Sequence, residues 1–203
     1  MKPAARTGEP IVIADYDPAW PERFARERAL IVEACGPQTF LAIEHIGSTS
    51  VPGLAAKPII DIMPGVRSLD AFAPAIAKLE GIGYEYVPEF ERPIPEMDDP
   101  GMPFRRYFRK DAGGERAFHL HVVEMGSGFW RDHLVFRDYL RAHPEAAAAY
   151  ADLKRAIAAD YNAALQPHYG SIERNKHYTD RKSDFVAGTM AAARAEAEAA
   201  AGR

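Results

Sequence analysis

The chain has 203 residues, 47% of them hydrophobic, with a formal net charge of −4 and an isoelectric point near 6.0. That is enough for one sizeable core and short for two, and the acidic balance excludes a protein that coats nucleic acid, since neutralising a phosphate backbone takes a surplus of Lys and Arg. Cys35 is the single cysteine, which excludes an intrachain disulfide and a cysteine-built zinc site; with no apolar stretch of signal-peptide length or of the ~20 residues a membrane span needs, a soluble cytoplasmic protein is expected.

The expected architecture is one α/β (α+β) domain over residues 1–203, with a mixed-sheet core and helices at 10–125 and a helical C-terminal part at 128–203. Residues 10–14 are short, apolar and β-branched and read as a strand. Asp17-Pro18 then offers an N-cap with proline at the first helical position. Trp20, Phe24, Ile31 and Ala34 recur at helical spacing up to Gly36-Pro37, which marks a core-facing helix.

Residues 39–46 and 58–63 read as strands. The segment between them, within EHIGSTSVPGLAAKPIIDI at 44–62, is the most informative in the chain. A β-branched run stops at Gly47-Ser48, bends through small residues and returns to an apolar run carrying Asp61. Glycine lets backbone approach a phosphate closely, and Ser48, Thr49, Ser50 and the free N–H groups supply donors. Lys57 adds charge. A carboxylate among isoleucines needs a partner charge or a metal to stay ionised. An ordinary strand-turn-strand with an N-capping serine is the competing reading.

Ser68 to Gly81 reads as an amphipathic helix, and Tyr84 to Val87 as a strand. Residues 88–103 hold five prolines and a cluster of acids, which suits a long surface loop, either a functional lid or a disordered segment. PFRRYFRK and ERAFHLHVVE then alternate on either side of Asp111-Ala112-Gly113-Gly114, a strong hairpin signal. From Phe129 onward the pattern is helical to the end.

Alternation puts Arg105, Tyr107 and Arg109 on one face of the first hairpin strand and Arg106, Phe108 and Lys110 on the other. Arg105 and Arg109 would form a phosphate fork, or else a solvated basic edge. On the second strand His119 and His121 share a face. Two such imidazoles suit one metal or one phosphate. If this strand lies beside that of Asp61, then Asp61, His119 and His121 form a two-histidine, one-carboxylate set. Its divalent cation would be Mn²⁺ or Zn²⁺ in preference to Mg²⁺, which prefers oxygen ligands. In the helical half Arg137, Asp138, Arg141 and Lys154 read as helix-surface charges, and Lys182 as a further phosphate contact. No nucleophile elbow and no Walker loop is present in the sequence.

Several stretches in one order, EHIGSTSVPGLAAKPIIDI, HLHVV, FRDYLRAHPE and the Y-x-x-L-K of Tyr150 to Lys154, resemble the GrpB family, and the resemblance runs from about Ile11 to Val186. That family is grouped with the nucleotidyltransferase superfamily, and a similar domain is fused to dephospho-CoA kinase in some bacteria. The resemblance implies a nucleotidyltransferase-like mixed sheet with packed helices and a helical C-terminal part. It implies that Gly47-Ser48 matches the superfamily's Gly-Ser phosphate loop and that Asp61 matches the first acid of its metal-binding Asp-x-Asp. The position of the second acid is Met63, and a thioether does not ligate a hard cation, so two-metal transfer lacks a ligand. Three functions follow as expectations: binding of a nucleotide or other phosphorylated small molecule with one-metal nucleotidyl transfer centred on Asp61, a catalytically inactive binding or folding-assistance module, and a metal-dependent phosphohydrolase.

Overall fold

The computed structural model of the protein describes residues 10–91, 105–163 and 180–201, without the side chains of 200 and 201. Its centre is a five-stranded mixed sheet. In chain order the strands are β1 (Ala42–Ile46), β2 (Ile60–Val66), β3 (Glu85–Tyr86), β4 (Arg105–Ala112) and β5 (Glu115–Glu124), and in space they run β1-β2-β5-β4-β3. Only the β2–β5 pairing is parallel; the other three are antiparallel. The β4–β5 hairpin closes on Gly113 and Gly114, both at positive φ (63° and 82°), the backbone that a two-residue turn requires.

Among the described residues the helices are α1 (Trp20–Cys35), α2 (Leu69–Phe72), α3 (Ile76–Gly81), α4 (Gly128–Ala142), α5 (Pro144–Ala163) and α6 (Ser183–Ala201). Strict alternation sorts the sheet into two faces. Ile60 and Ile62 of β2, Phe108 of β4 and Phe118, Leu120 and Val122 of β5 pack with Trp20, Ile31, Phe72 and Leu79 in the main core under α1, α2 and α3. The opposite face bears the alternate residues. Its β1 end is sealed by Ile46, Met63 and Val123 against Phe129 and Trp130 of α4, while the rest carries Asp61, His119, His121, Arg105 and Tyr107. The basic residues of β4 that share the core face are paired: Lys110 with Glu27 at 2.8 Å and Arg106 with Glu91 at 2.6 Å.

Several elements depart from the sequence expectation, each for a local reason. Residues 10–14 make a single antiparallel bridge, Ala14 to Ala56, instead of a strand of the sheet, and Ile11 is tied to Asn162 of α5 through both its backbone groups. The first helix starts at Trp20 with Pro21 in its first turn, so Pro18 precedes it. The helix expected from Ser68 to Gly81 is split by Pro74, which lacks the N–H needed to continue an α-helical ladder; a 3₁₀ turn at Ala73–Ala75 separates α2 from α3. The strand at 84–87 shortens to two residues. Of the proline-rich loop, residues 88–91 form a 3₁₀ turn and its end; the remainder lies outside the described residues. No helix among the described residues is long and apolar enough to cross a membrane.

Candidate functional site

The parallel pairing of β2 with β5 sets Asp61 beside His119 in register, and the period of two brings His121 to the same face. His119 Nδ1 lies 3.1 Å and His121 Nε2 3.5 Å from Asp61 Oδ1. One ligand atom from each of the three residues falls within 4.8 Å of the others. The side chains are neither sealed nor free, with Asp61 27% and His121 12% exposed. Burial opposes ionisation of Asp61, yet hydrogen bonds and electrostatic attraction from His119 and His121 hold its carboxyl well below the usual range. Burial is also the main reason that His121 is pushed down to about 3, against the pull of Asp61 and with help from the Arg105 charge.

The Gly47 turn abuts this carboxylate. Ile46 is the β1 partner of Asp61, and Gly47 follows with φ +69° and ψ −177°, a conformation accessible essentially to glycine. A Cβ at Gly47 would lie 2.4 Å from Asp61 Oδ2. The turn is also tightly self-bonded. Ser50 Oγ donates to the Gly47 carbonyl at 2.6 Å, and Thr49 Oγ1 donates to the Ile59 carbonyl at 3.2 Å. The Thr49 hydroxyl being committed as a donor to Ile59, its 3.0 Å contact with His45 Nε2 is an N–H donated to it. Thr49 and Ser50 are buried, so their hydroxyls build the turn, and Ser48 is the half-buried hydroxyl left at its surface. Lys57 sits half-buried between the turn and β2.

The two arginines expected to form a fork have different partners. Arg109 is bidentate to Glu85 of β3, at 2.6 and 2.9 Å. Arg105 turns to His121, with Nη1 3.1 Å from Nδ1. Because a guanidinium only donates, His121 Nδ1 accepts, and the ring proton sits on Nε2, facing Asp61. The Arg105 guanidinium is also 5.1 Å and 5.4 Å from the ring centroids of Tyr107 and Phe129.

In the helical half, Arg137, Arg141 and Lys154 reach carbonyls of the sheet side and are not plain helix-surface charges. Arg141 holds the Ser50 carbonyl with two nitrogens, at 3.0 and 2.8 Å, and Arg137 holds Glu44 and the His45 carbonyl, at 2.7 and 3.1 Å. Lys154 is buried and donates to the Ala55 carbonyl. Burial is the main reason the Tyr150 phenol is pushed up to about 12, with the Asp61 charge adding to the rise and the Ser48 hydroxyl opposing it. Lys182, which precedes α6, is held to about 8 by burial, against the attraction of Asp61. The Y-x-x-L-K spacing was the only trace of Tyr150 and Lys154 in the sequence.

As a metal centre, two imidazoles and one carboxylate suit a borderline divalent cation such as Zn²⁺ or Mn²⁺, and the ligand atoms are near enough for one ion. The Arg105 hydrogen bond opposes that use. If Nδ1 of His121 were to ligate, Arg105 would stand in its place; if Nε2 were to ligate, the neutral ring would carry its proton on Nδ1, facing a second donor.

Comparison with known proteins adds three likenesses and one family. The family described as GrpB protein matches residues 10–192. UPF0157 protein YqkA of Bacillus subtilis is 42% identical over 153 residues, which are 75% of this chain and 41% of that protein. A dephospho-CoA kinase of Mycolicibacterium paratuberculosis is 31% identical over 160 residues, 72% of this chain and 39% of the kinase; the chain thus spans about two fifths of either relative. The crystal structure of conserved protein GrpB from Enterococcus faecalis superposes with a TM-score of 0.70 at 33% identity, covering 90% of this chain and 96% of that one.

Proposed function

The chain belongs to the GrpB family, and from that premise we propose that it binds a nucleotide or other phosphorylated small molecule beside one divalent cation held by Asp61, His119 and His121. The observation that carries this is the convergence of three ligand atoms within 4.8 Å, immediately beside a glycine turn pressed against the same carboxylate. When bound, the cation would supply charge neutralisation for phosphate oxygens. The chain's own part is to orient it. The β2–β5 register fixes the ligands, Gly47 allows backbone to approach the phosphates, and Arg105, Lys57 and Lys182 add positive charge at the rim.

One-metal nucleotidyl transfer from a nucleoside triphosphate is the reaction this reading would support, with an acceptor hydroxyl displacing pyrophosphate. Hydrolysis by water is its variant. The Arg105–His121 hydrogen bond favours a second reading, in which the cluster is a metal-free polar network of a binding module without chemistry.

Titration of the purified protein with Mn²⁺ and Zn²⁺, wild type against His121→Ala, separates these readings. Stoichiometric binding that disappears in the variant supports the metal centre; no binding by either protein sinks it. Incubation with labelled ATP then reads pyrophosphate for transfer, inorganic phosphate for hydrolysis, or neither for the silent module, each compared with Asp61→Ala.

A further inference from the structure

His133 of α4 has one ring nitrogen that the fold leaves unused. Its Nδ1 lies 2.8 Å from the Phe129 carbonyl oxygen, and a carbonyl only accepts, so Nδ1 carries the proton of the neutral ring and Nε2 is a lone pair. Among the described residues none hydrogen-bonds Nε2. The ring is half-buried and lies flat on Phe129, with centroids 3.8 Å apart and planes 18° apart. Burial, the leading cause, and the Arg105 charge lower its pKa against the Phe129 carbonyl and the Asp61 and Asp132 charges. The imidazole is therefore neutral at pH 7 and free to accept a proton.

The contacts of its neighbours on α4 fix where the ring lies. Phe129, one turn earlier, has its ring centroid 5.7 Å from that of His121 on β5. Arg137, one turn later, bonds Glu44 and the His45 carbonyl of β1. Residues three and four apart share a helix face, so this face of α4 crosses the sheet from β5 to β1 with His133 midway, and the strand between those two is β2. Trp130 and Leu134, on one flank of His133, pack with Met63 of β2. Phe136, on the other flank, meets Tyr150 at 5.6 Å. His133 thus stands beside the Asp61 end of β2, where the two strand histidines and the Gly47 turn converge.

A neutral lone pair in that place repels phosphate oxygens and accepts from an O–H. His133 is not among the three ligand atoms that gather within 4.8 Å, so the cation reading does not use it. The proposed transfer needs a proton acceptor that its other parts do not supply. Asp61, His119 and His121 are committed to the cation, Arg105 only donates, and burial pushes the Tyr107 phenol up to about 12, which keeps it protonated.

We infer that His133 is the general base of the site, its Nε2 taking the proton of the acceptor hydroxyl or water. The O–H bond breaks toward Nε2, the oxygen bonds to the α-phosphorus, and the bond from that phosphorus to pyrophosphate breaks with its electron pair leaving on pyrophosphate. Phe129 positions the ring through the Nδ1 hydrogen bond and the stack. The inference deepens the proposed function and rests on it for the reaction.

The test follows pyrophosphate release from labelled ATP with Mn²⁺, with water as the acceptor, across pH. Asparagine keeps a donor for the Phe129 carbonyl and has no basic nitrogen, so His133→Asn should turn over about 100-fold more slowly or worse, lose the acid limb of the wild-type pH profile and still bind Mn²⁺ as wild type does. Added imidazole should restore part of the rate to His133→Gly and add nothing to wild type. An unchanged rate in His133→Asn overturns the base and leaves the cation reading standing. Loss of Mn²⁺ binding in that variant also overturns it, by making His133 a ligand. Absence of turnover in wild type removes the reaction and the base together. If neither variant folds, nitrogen NMR of wild type decides: a neutral His133 with its proton on Nδ1 at pH 7 supports the assignment, and an imidazolium or the opposite tautomer overturns it.

Discussion

Replacement of Gly47 by alanine tests whether the turn and the acid are one structural unit. Two costs add. The backbone stands at φ +69° and ψ −177°, a region essentially reserved for glycine, where another residue costs on the order of 1–3 kcal/mol. The added Cβ would lie 2.4 Å from Asp61 Oδ2, and 3.1 Å from Asp61 Cβ and Cγ, so either the carboxylate turns or the backbone retreats. Turning the carboxylate breaks its 3.1 Å contact with His119, a charge-assisted bond of about 1.5–3 kcal/mol in a partly buried site. The sum is about 2.5–6 kcal/mol, with a midpoint of ~4 kcal/mol. Gly53→Ala is the control, because Gly53 has φ +79° but nothing within 4 Å of an added Cβ, leaving only the left-handed backbone cost of about 1–2 kcal/mol. Urea unfolding at constant m should therefore rank Gly47→Ala below Gly53→Ala by roughly 2–3 kcal/mol. Mn²⁺ or Zn²⁺ titration should show a loss in Gly47→Ala and none in Gly53→Ala. Equal stability losses in the two variants, with metal affinity unchanged in both, would refute the idea that Gly47 braces the Asp61 carboxylate.

Two other outcomes follow from the same geometry. Arg105→Ala removes the donor that competes for His121 Nδ1 at 3.1 Å together with a like charge, so the affinity for Zn²⁺ should rise, by about tenfold for one hydrogen bond of ordinary strength; a fall in affinity would mean that Arg105 supports the metal site. His45 is held at about 4, by burial first and then by the Arg141 and Arg137 charges, with Asp61 opposing. Its folded value lies below the ~6.5 of an unfolded histidine, so the unfolded chain binds the extra proton, and the stability this neutral ring contributes is present above pH ~6.5 and lost as pH falls toward about 4. The slope is about 1.4 kcal/mol per pH unit for this one group. His45→Gln keeps a donor for Thr49 but cannot titrate, so its urea stability should fall less steeply with acid over that window; parallel profiles would contradict the assignment.

The residues nearest each other along the chain were the most legible. Gly47 and Asp61 are joined by one short excursion between antiparallel strands, and a glycine stop followed by an apolar strand with one acid is enough to place them together. His119 and His121 were legible from alternation alone, and their meeting with Asp61 needed only the assumption that β5 lies beside β2. The partners of charges were not legible. Arg109 reads as a phosphate ligand until β3, 24 positions earlier, brings Glu85 against it. Lys154 and Arg141 look like helix-surface charges, because helical periodicity identifies a face but not what that face meets; their acceptors, the Ala55 and Ser50 carbonyls, lie 99 and 91 positions away. Pro74 carries its own signal: a proline inside a periodic segment splits the helix even where the apolar pattern continues.

Met63 shows why no second acid stands two residues after Asp61. It shares the Asp61 face of β2, but that position is core: Met63 has no exposed surface and packs with Ile46, Val123, Phe129 and Trp130. A carboxylate there would be buried among apolar side chains under α4, at a cost of several kcal/mol. The other candidate ligands, His119 and His121, stand on the neighbouring strand. Two residues along a strand lie roughly 6.6 Å apart, whereas residues in register on adjacent strands are separated by about 4.8 Å. The parallel β2–β5 pairing thus gathers Asp61, His119 and His121 into a tighter and nitrogen-rich triangle than Asp-x-Asp would form. Such a triangle would suit one borderline cation better than a pair of hard ones, and that follows from which strand lies next to Asp61 as much as from the methionine two residues along β2.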